Sequence, residues 1–458
     1  KFPLLIIHYR FLVKDKTMRR IFLAGVSALV LMSASANADE TLFQAIDNDY
    51  AYLEELYLQL HRNPELSYQE QETMGRIAGE LRDLGFEVTE NVGGFGFVGV
   101  IRNGEGPTVM IRTDLDALPL EEATGLPYAS RVRAINQAGD EVFVMHACGH
   151  DIHMAAFVGT ARRLVEMKDS WRGTLVMIGQ PAEERGGGAK AMLADGLFER
   201  FPKPDYNLAL HDGAGVPAGT VGYTSGYALA NVDSVDIIVH GIGGHGAYPH
   251  TTKDPIMLAA QIVVDLQTLV SRVISPLEPG VVTVGSFHGG TKHNIISDEV
   301  RLQLTVRSYT DEVRKTLLDG IKRIAVNQGR AAGLSEDLLP EVTVREDEFT
   351  PAVYNDPGLA DRVAGAMRAA GVAEIIRETP PVMGGEDFSQ YGRTEDKIPG
   401  LIFWIGAVNP EEYAATVAAG GSFPSLHSPF FAPDPEPTIK TGVRAMTVAA
   451  LELFEKVE

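Results

Sequence analysis

Two hydrophobic periodicities alternate along the chain and divide it into elements. Apolar residues recur at helical spacing from Thr41 to His61 and from Gln69 to Leu84, and both stretches predict amphipathic helices. Short apolar runs bounded by Gly, Asn or Asp follow at Gly96 to Ile101 and Thr108 to Arg112, and these read as strands. Helical spacing returns from Asp151 to Met167, where Met154, Phe157, Val158, Leu164 and Val165 share a face. Further strands are expected at Thr174 to Gly179, Tyr206 to His211 and Leu401 to Gly406, with helices near Ala189 to Phe198, Gly358 to Ala370 and Thr438 to Val457. Strands alternating with helices predict an α/β domain with a mostly parallel sheet, since each parallel connection needs a crossover.

The stretch from about Ser225 to Glu341 breaks this rhythm. It reads strand (Val232 to His240), helix (Pro255 to Ile274), two strands (Val281 to Phe287, Glu299 to Ser308), helix (Asp311 to Ala332), with a last strand at Glu341 to Arg345. That order is the split βαβ, ferredoxin-like pattern. Residues 226–341 are therefore expected to form a small α+β domain inserted into a larger one spanning 39–225 and 342–458.

Ahead of these elements, Met18 is followed by Arg19-Arg20, an apolar stretch from Ile21 to Met32, and small residues up to Ala38, the layout of a signal peptide cleaved after Ala38. Residues 1–38 are expected to be leader, with 1–17 upstream of the initiator, and the mature protein to be exported to the periplasm. The apolar stretch is too short to anchor the chain, so no membrane attachment is expected after cleavage. The whole chain carries 61 acidic against 40 basic residues, a net charge of −21, which argues against nucleic acid and anionic membrane as partners. It holds one cysteine, which cannot form an internal disulfide.

That residue, Cys148, lies in His146-Ala147-Cys148-Gly149-His150-Asp151, four ligand-type side chains in six positions. Residues two apart diverge on a helix, so Cys148 and His150 can share an ion only from a turn, which Gly149 permits. A metal would also explain a lone thiol kept in an oxidising compartment, by holding it as thiolate. Four more polar clusters sit just after expected strands, where open α/β sheets bind ligands. They are Arg112-Thr113-Asp114-Leu115-Asp116, Gln180-Pro181-Ala182-Glu183-Glu184, His211 closing its strand, and Leu426-His427-Ser428-Pro429. Adjacent Glu183 and Glu184 diverge on an extended segment, so one can bind metal while the other handles protons. Taken singly, each cluster also has an ordinary reading as solvated or hydrogen-bonded polar residues.

Together with Gly243-Gly244-His245-Gly246-Ala247-Tyr248-Pro249-His250 and Gly384-Gly385-Glu386-Asp387-Phe388-Ser389, the cysteine and double-glutamate motifs resemble the metallo-amidohydrolases of the aminoacylase/carboxypeptidase type. Within these the chain is most similar to the branch of N-acyl-amino-acid amidohydrolases, hippurate hydrolases and auxin-conjugate hydrolases. The likeness runs in order over nearly all of residues 41–457, the inserted domain included. It implies a metallo-exopeptidase-like catalytic domain and an insert that serves as lid and dimerisation domain. It also implies that Cys148, His150, Glu184, His211 and His427 hold one or two divalent ions, zinc, manganese, cobalt or nickel. Glu183 would be general base and acid, and His245 would stabilise the oxyanion from the partner subunit of a homodimer. Asn294 and Arg307 would meet the substrate, and Asp114 and Asp116 would orient the ligands from behind. Two departures are visible: Ser297 stands where proline is common, and Ile152 where glycine is common.

The expected reaction is hydrolysis of the amide bond of an N-acyl amino acid by metal-activated water. A metal-dependent dipeptidase or carboxypeptidase would use the same ions. A non-catalytic exported binding protein would have no use for Glu183, and a serine hydrolase lacks the required nucleophile elbow.

Overall fold

In the computed structural model, which describes residues 42–457, the alternating pattern becomes one large twisted sheet with a smaller sheet rising from it. The leader expected over residues 1–38 lies outside the described residues. The large sheet runs Glu87–Val92, Gly96–Asn103, Trp171–Gln180, Thr108–Asp114, Tyr206–Pro217, Gly400–Val408, Thr220–Tyr223, Ile375–Glu378. Its four central strands, from Trp171–Gln180 to Gly400–Val408, are mutually parallel. Antiparallel neighbours flank them on both sides.

Successive residues of the central strands alternate between two cores. Ile111, Met177, Leu208, Leu210, Phe403 and Ile405 face one core, together with Leu53 of the 42–62 helix, Ile77 of Gln71–Asp83, Phe157 of His150–Glu166, Val363 of Pro357–Ala370 and Val443 of Pro435–Leu453. Met110, Val176, Ile178, Ala209 and Ile402 face the other, thinner core, covered by Met192, Phe198 and Tyr391. The thinner layer leaves the strand ends on that side open, which is where the polar clusters gather.

The insert has the expected order. Its sheet runs Gly280–Gly289, Glu299–Ser308, Asn231–His240, Glu341–Val344, antiparallel throughout, the ferredoxin-like arrangement. Pro255–Thr268 and Asp311–Ala331 pack on it through Leu258, Ile262, Leu266, Leu317 and Ile321. Both helices begin as their sequences suggest, with Asp254 and Thr310 accepting hydrogen bonds from backbone N–H groups of the first turn. Pro255–Val273 is long and apolar enough to cross a membrane by length and composition, and its inner face is seated on this sheet. The two segments that join the insert to the rest, Gly226–Leu229 and Val353–Asn355, pair with each other as an antiparallel neck.

Several boundaries differ from expectation. The strand expected to end at His211 continues to Pro217, because Trp404–Gly406 go on pairing with His211–Gly213. The helix expected over Ala189 to Phe198 is two, Gly188–Ala194 and Leu197–Arg200, split where Gly196 takes a φ of 83°. The last helix stops at Leu453, and Glu455–Lys456 pair with Trp171 and Arg172 as Phe454 stacks on Trp171 at 4.2 Å. Strands Glu87–Val92, Thr220–Tyr223 and Ile375–Glu378 were not anticipated; the first and last carry alternating or charged positions typical of sheet edges.

Candidate metal centre

The parallel strands deliver their C-terminal ends to one place. Asp114 closes Thr108–Asp114, and Gln180 closes the adjacent strand and leads into Glu183 and Glu184. His211 lies on the third strand, two positions before Gly213. Cys148 and His150 come from the turn that starts the helix His150–Glu166, where Gly149 has a φ of 75°. A Cβ there would stand 2.2 Å from Asp212 Oδ2, so the turn demands glycine for conformation and for space. His427 arrives on a loop with a φ of 63°, fixed by a hydrogen bond of 2.8 Å from its N–H to the Ala147 carbonyl.

Cys148 Sγ lies 3.5 Å from His211 Nε2, and His427 Nε2 lies 3.4 Å from Glu184 Oε2. His150 Nε2 is 3.8 Å from Glu183 Oε2 and 3.9 Å from Glu184 Oε1. Overlapping groups of these donors, Cys148 with His150 and His211, Cys148 with Glu184 and His427, and His150 with both glutamates, each lie within 4.8 Å of one another. The imidazoles are oriented from behind. His150 Nδ1 meets the Asp116 carbonyl at 2.8 Å and His211 Nδ1 the Asp212 carbonyl at 2.8 Å, which turns each Nε2 to the centre. Two buried atoms there, His150 Nε2 and Glu184 Oε1, have no hydrogen-bond partner among the described residues. Lone pairs left bare in a buried, acid-rich site fit a bound cation, and the mix of thiolate, imidazole and carboxylate suits a borderline divalent ion.

The glutamate pair is not on an extended segment, as expected from the sequence, but in a tight 3₁₀ turn, Glu183–Arg185. Two buried carboxylates hold that turn. Glu70 accepts the Ala182 N–H at 2.7 Å, and Asp116 accepts the N–H groups of Glu183 and Glu184, both at 3.1 Å. Ser67 donates to Asp116 at 2.6 Å. These bonds offset the left-handed backbone of Ala182, φ 47°, and aim both side chains inward. Burial, with the charges of Glu386 and Glu184, pushes Glu183 well above the usual carboxylate range. Burial likewise raises Glu184 to about 7 and the Cys148 thiol well above its ordinary value. A cation bound at the centre relieves all three.

Behind the centre, Arg112 is buried among carboxylates. It bonds Asp114 at 2.6 Å, Glu386 at 2.8 Å and Gln180 at 3.0 Å, while Gln180 and the Ala189 N–H hold Asp387. His153 spends both nitrogens, one on Asp114 at 2.8 Å and one accepting the Asp212 N–H at 3.0 Å, which leaves no lone pair for a metal.

The model of peptidase family M20/M25/M40 matches residues 110–450. The chain belongs to that family. A thermostable carboxypeptidase of Saccharolobus solfataricus is 37% identical over 91% of this chain and 100% of its own length. An N-acetylcysteine deacetylase of Bacillus subtilis is 35% identical over 77% of this chain and 88% of its own. Among solved structures, a dinuclear metal-binding M20 peptidase of Bacillus subtilis superposes with a TM-score of 0.69 at 28% identity, covering 91% of this chain and 100% of that one. This M20 protein is a metal-dependent amidohydrolase with an α/β catalytic domain and an inserted α+β domain.

The centre opens into a cavity of about 1120 Å³ between the two sheets, at the roomy end of ligand pockets. Cys148, Glu183, Glu184, His211 and His427 line it, as does Arg307 from the insert. His150, Asp114 and Asp116 lie buried behind the lining. His245 and Asn294 are not in this chain's cavity. Both sit exposed at a small two-stranded ribbon of the insert, where the Gly246 N–H bonds the Asn294 carbonyl at 2.9 Å and His245 pairs with Ile295. Sequence reading assigned no role to Ser67, Glu70, Gln180 or the pair Glu386 and Asp387. Gln180 carried a signal as the first residue of the double-glutamate motif, and the last two as part of the Gly384 to Ser389 motif; Ser67 and Glu70 carried none.

Proposed function

We propose that this enzyme cleaves the amide bond of N-acyl amino acids, releasing the acyl carboxylate and the free amino acid. The observation that carries the reading is the pinned Glu183–Glu184 turn, which sets one carboxylate among the metal-type donors and its neighbour beside them at the floor of the cavity. Cys148, His150, Glu184, His211 and His427 would hold one or two divalent ions, which supply a Lewis acid that activates water and polarises the carbonyl. Glu183 takes the proton from the attacking water and returns it to the departing nitrogen, a shuttle for which a raised pKa is suited. Arg307, half-buried and with its side chain bonded among the described residues only to the Met383 carbonyl at 2.7 Å, keeps donors free for the substrate's α-carboxylate. Asp114 and Asp116 hold the ligands in place.

His245 and Asn294 reach a cavity only in a second copy, so the active form is a homodimer joined through the insert. The exposed apolar face of its first helix, with Met257 57% and Val264 68% accessible, supports that assembly. Mixing inactive His245→Ala and Glu183→Gln proteins should restore part of the activity; no recovery in a verified mixed dimer overturns the assignment. The layout of residues 18–38 supports export, and a mature N-terminus elsewhere than near Asp39 would contradict it.

Glu183→Gln should lower kcat by about 10²- to 10⁴-fold with metal content unchanged; full turnover removes Glu183 from the mechanism. A second reading, carboxypeptidase action, is favoured by the carboxypeptidase named above. Acetyl- and benzoyl-amino acids assayed beside blocked and unblocked peptides, with and without chelator, separate the two.

A further inference from the structure

A row of residues leads from the metal centre across four neighbouring strands. His211 is in register with Trp404, Trp404 with Gly222, and Gly222 with Arg377. Residues paired in this way face the same side of a sheet. That side is the cavity's, because all four line it, whereas Val221 and Tyr223, which flank Gly222, belong to the opposite core. The His211 and Trp404 rings lie 5.1 Å apart. With neighbouring strands roughly 4.8 Å apart, the Arg377 Cα stands about 14 Å from that of His211. Gly222 contributes no side chain in between, and a Cβ there would lie 3.0 Å from Thr379 Cγ2 and 3.5 Å from Trp404 Cβ. The indole is therefore a floor, Gly222 a gap, and Arg377 the far wall.

The charges along this trough are graded. At the metal end sit Glu183, Glu184, Glu386 and Asp387. At the far end Arg377 is uncompensated: among the described residues no carboxylate lies within 4.0 Å of it, nor of Arg185 and Arg307 elsewhere in the lining. The remaining lining acid, Glu348, is paired with Arg345 at 3.0 Å. Such bare guanidiniums stand out in a chain with 61 acidic residues against 40 basic ones, and a guanidinium matches a carboxylate with two parallel hydrogen bonds.

We infer that Arg377 recognises a second carboxylate on the substrate, so that the enzyme selects N-acyl amino acids carrying an anionic group beyond the α-carboxylate. This rests on the amide-hydrolysis reading and leaves Arg307 to the α-carboxylate. The extra carboxylate lies either on the amino-acid side chain or at the end of a dicarboxylic acyl group, and isosteric substrate pairs distinguish these sources. N-acetylglutamate is compared with N-acetylglutamine, and N-succinyl-leucine with its terminal amide, on the metal-loaded wild type and on Arg377→Gln. One pair should show at least about a tenfold preference in kcat/KM for its acidic member, the gain of a charge-assisted hydrogen bond. In Arg377→Gln that preference should disappear, chiefly through a lower kcat/KM for the acidic member. Equal rates within both pairs overturn the inference.

A binding assay separates this from failure of the reaction assignment. Of the two tryptophans, Trp171 is buried and Trp404 lines the cavity, so fluorescence titration with glutarate and with its half-amide reports the trough directly. Tighter binding of glutarate, abolished in Arg377→Gln, supports the inference even where no amide is turned over. Equal affinity for both compounds overturns it.

Discussion

Asp116→Asn tests the idea that the centre is built by backbone amides as much as by ligands. The Asp116 carboxylate accepts three hydrogen bonds, from the N–H groups of Glu183 and Glu184 at 3.1 Å each and from Ser67 Oγ at 2.6 Å. Its own carbonyl orients His150. Asparagine fills the same volume and keeps that carbonyl, but one carboxylate oxygen becomes an NH₂ facing an N–H. One amide of the turn then loses its acceptor while buried, at a cost of about 1–3 kcal/mol. The cheapest relief is for the turn to rotate, which carries Glu184 away from His427 and Glu183 away from His150. Loss of such an orienting partner weakens metal binding by about 10–100-fold. Competition against a chromophoric chelator measures that affinity, and kcat at saturating metal measures what geometry remains. Ser67→Ala, which removes one bond without inverting a donor, should show a smaller effect in the same direction. Asp116→Asn protein with wild-type metal affinity and full kcat would refute the reasoning.

Two further substitutions probe the surroundings. Gly149→Ala places a methyl in a left-handed conformation and 2.2 Å from Asp212 Oδ2, so a destabilisation of about 2 kcal/mol or more is expected together with loss of metal; chemical denaturation with metal analysis checks both, and unchanged values refute it. His61 is buried between Asp151 at 2.7 Å and Glu122 at 3.3 Å. Burial pulls its pKa down, but the hydrogen bonds and charges of those two acids outweigh it and raise the pKa from 6.5 to about 9. Protonated His61 therefore stabilises the fold fully below pH 6.5, and this contribution, on the order of 3 kcal/mol, is lost as the pH rises through 9. Urea denaturation of the wild type and His61→Phe between pH 6 and 10 should show that slope only in the wild type.

Part of the donor cluster was legible in the sequence because an open α/β sheet collects its chemistry at strand ends, and strand ends are marked by a change from apolar runs to polar clusters. Glu184 follows such a change directly, whereas His211 lies within its longer strand and His427 comes well beyond its own, past the helix Pro410–Ala418; the split βαβ order of the insert was readable from periodicity. The network that holds them was not legible. Arg112 and Glu386 are 274 residues apart, and Ser67 meets Asp116 across 49. Glu70, beside the start of an amphipathic helix, has the sequence signature of a solvated first-turn acid. In the structure it is fully buried and caps Ala182 instead.

What decides such roles is where the backbone leaves N–H groups without partners, and no periodicity reports that. The turn from Ala182 to Glu184 has three such groups and a left-handed residue, so it must recruit acceptors from other segments. Two carboxylates meet that need, although burying them is costly, because their charge strengthens each bond to the turn. The same acids load the centre with negative charge, and the cation it binds then stabilises a cluster that would otherwise repel itself. Metal binding and the conformation of the Glu183–Glu184 turn are in this way one equilibrium. Stripping the ion should loosen residues 181–186 before it loosens the ligands' own strands, and amide exchange at Glu183 and Glu184 that stays as slow without metal as with it would break that link.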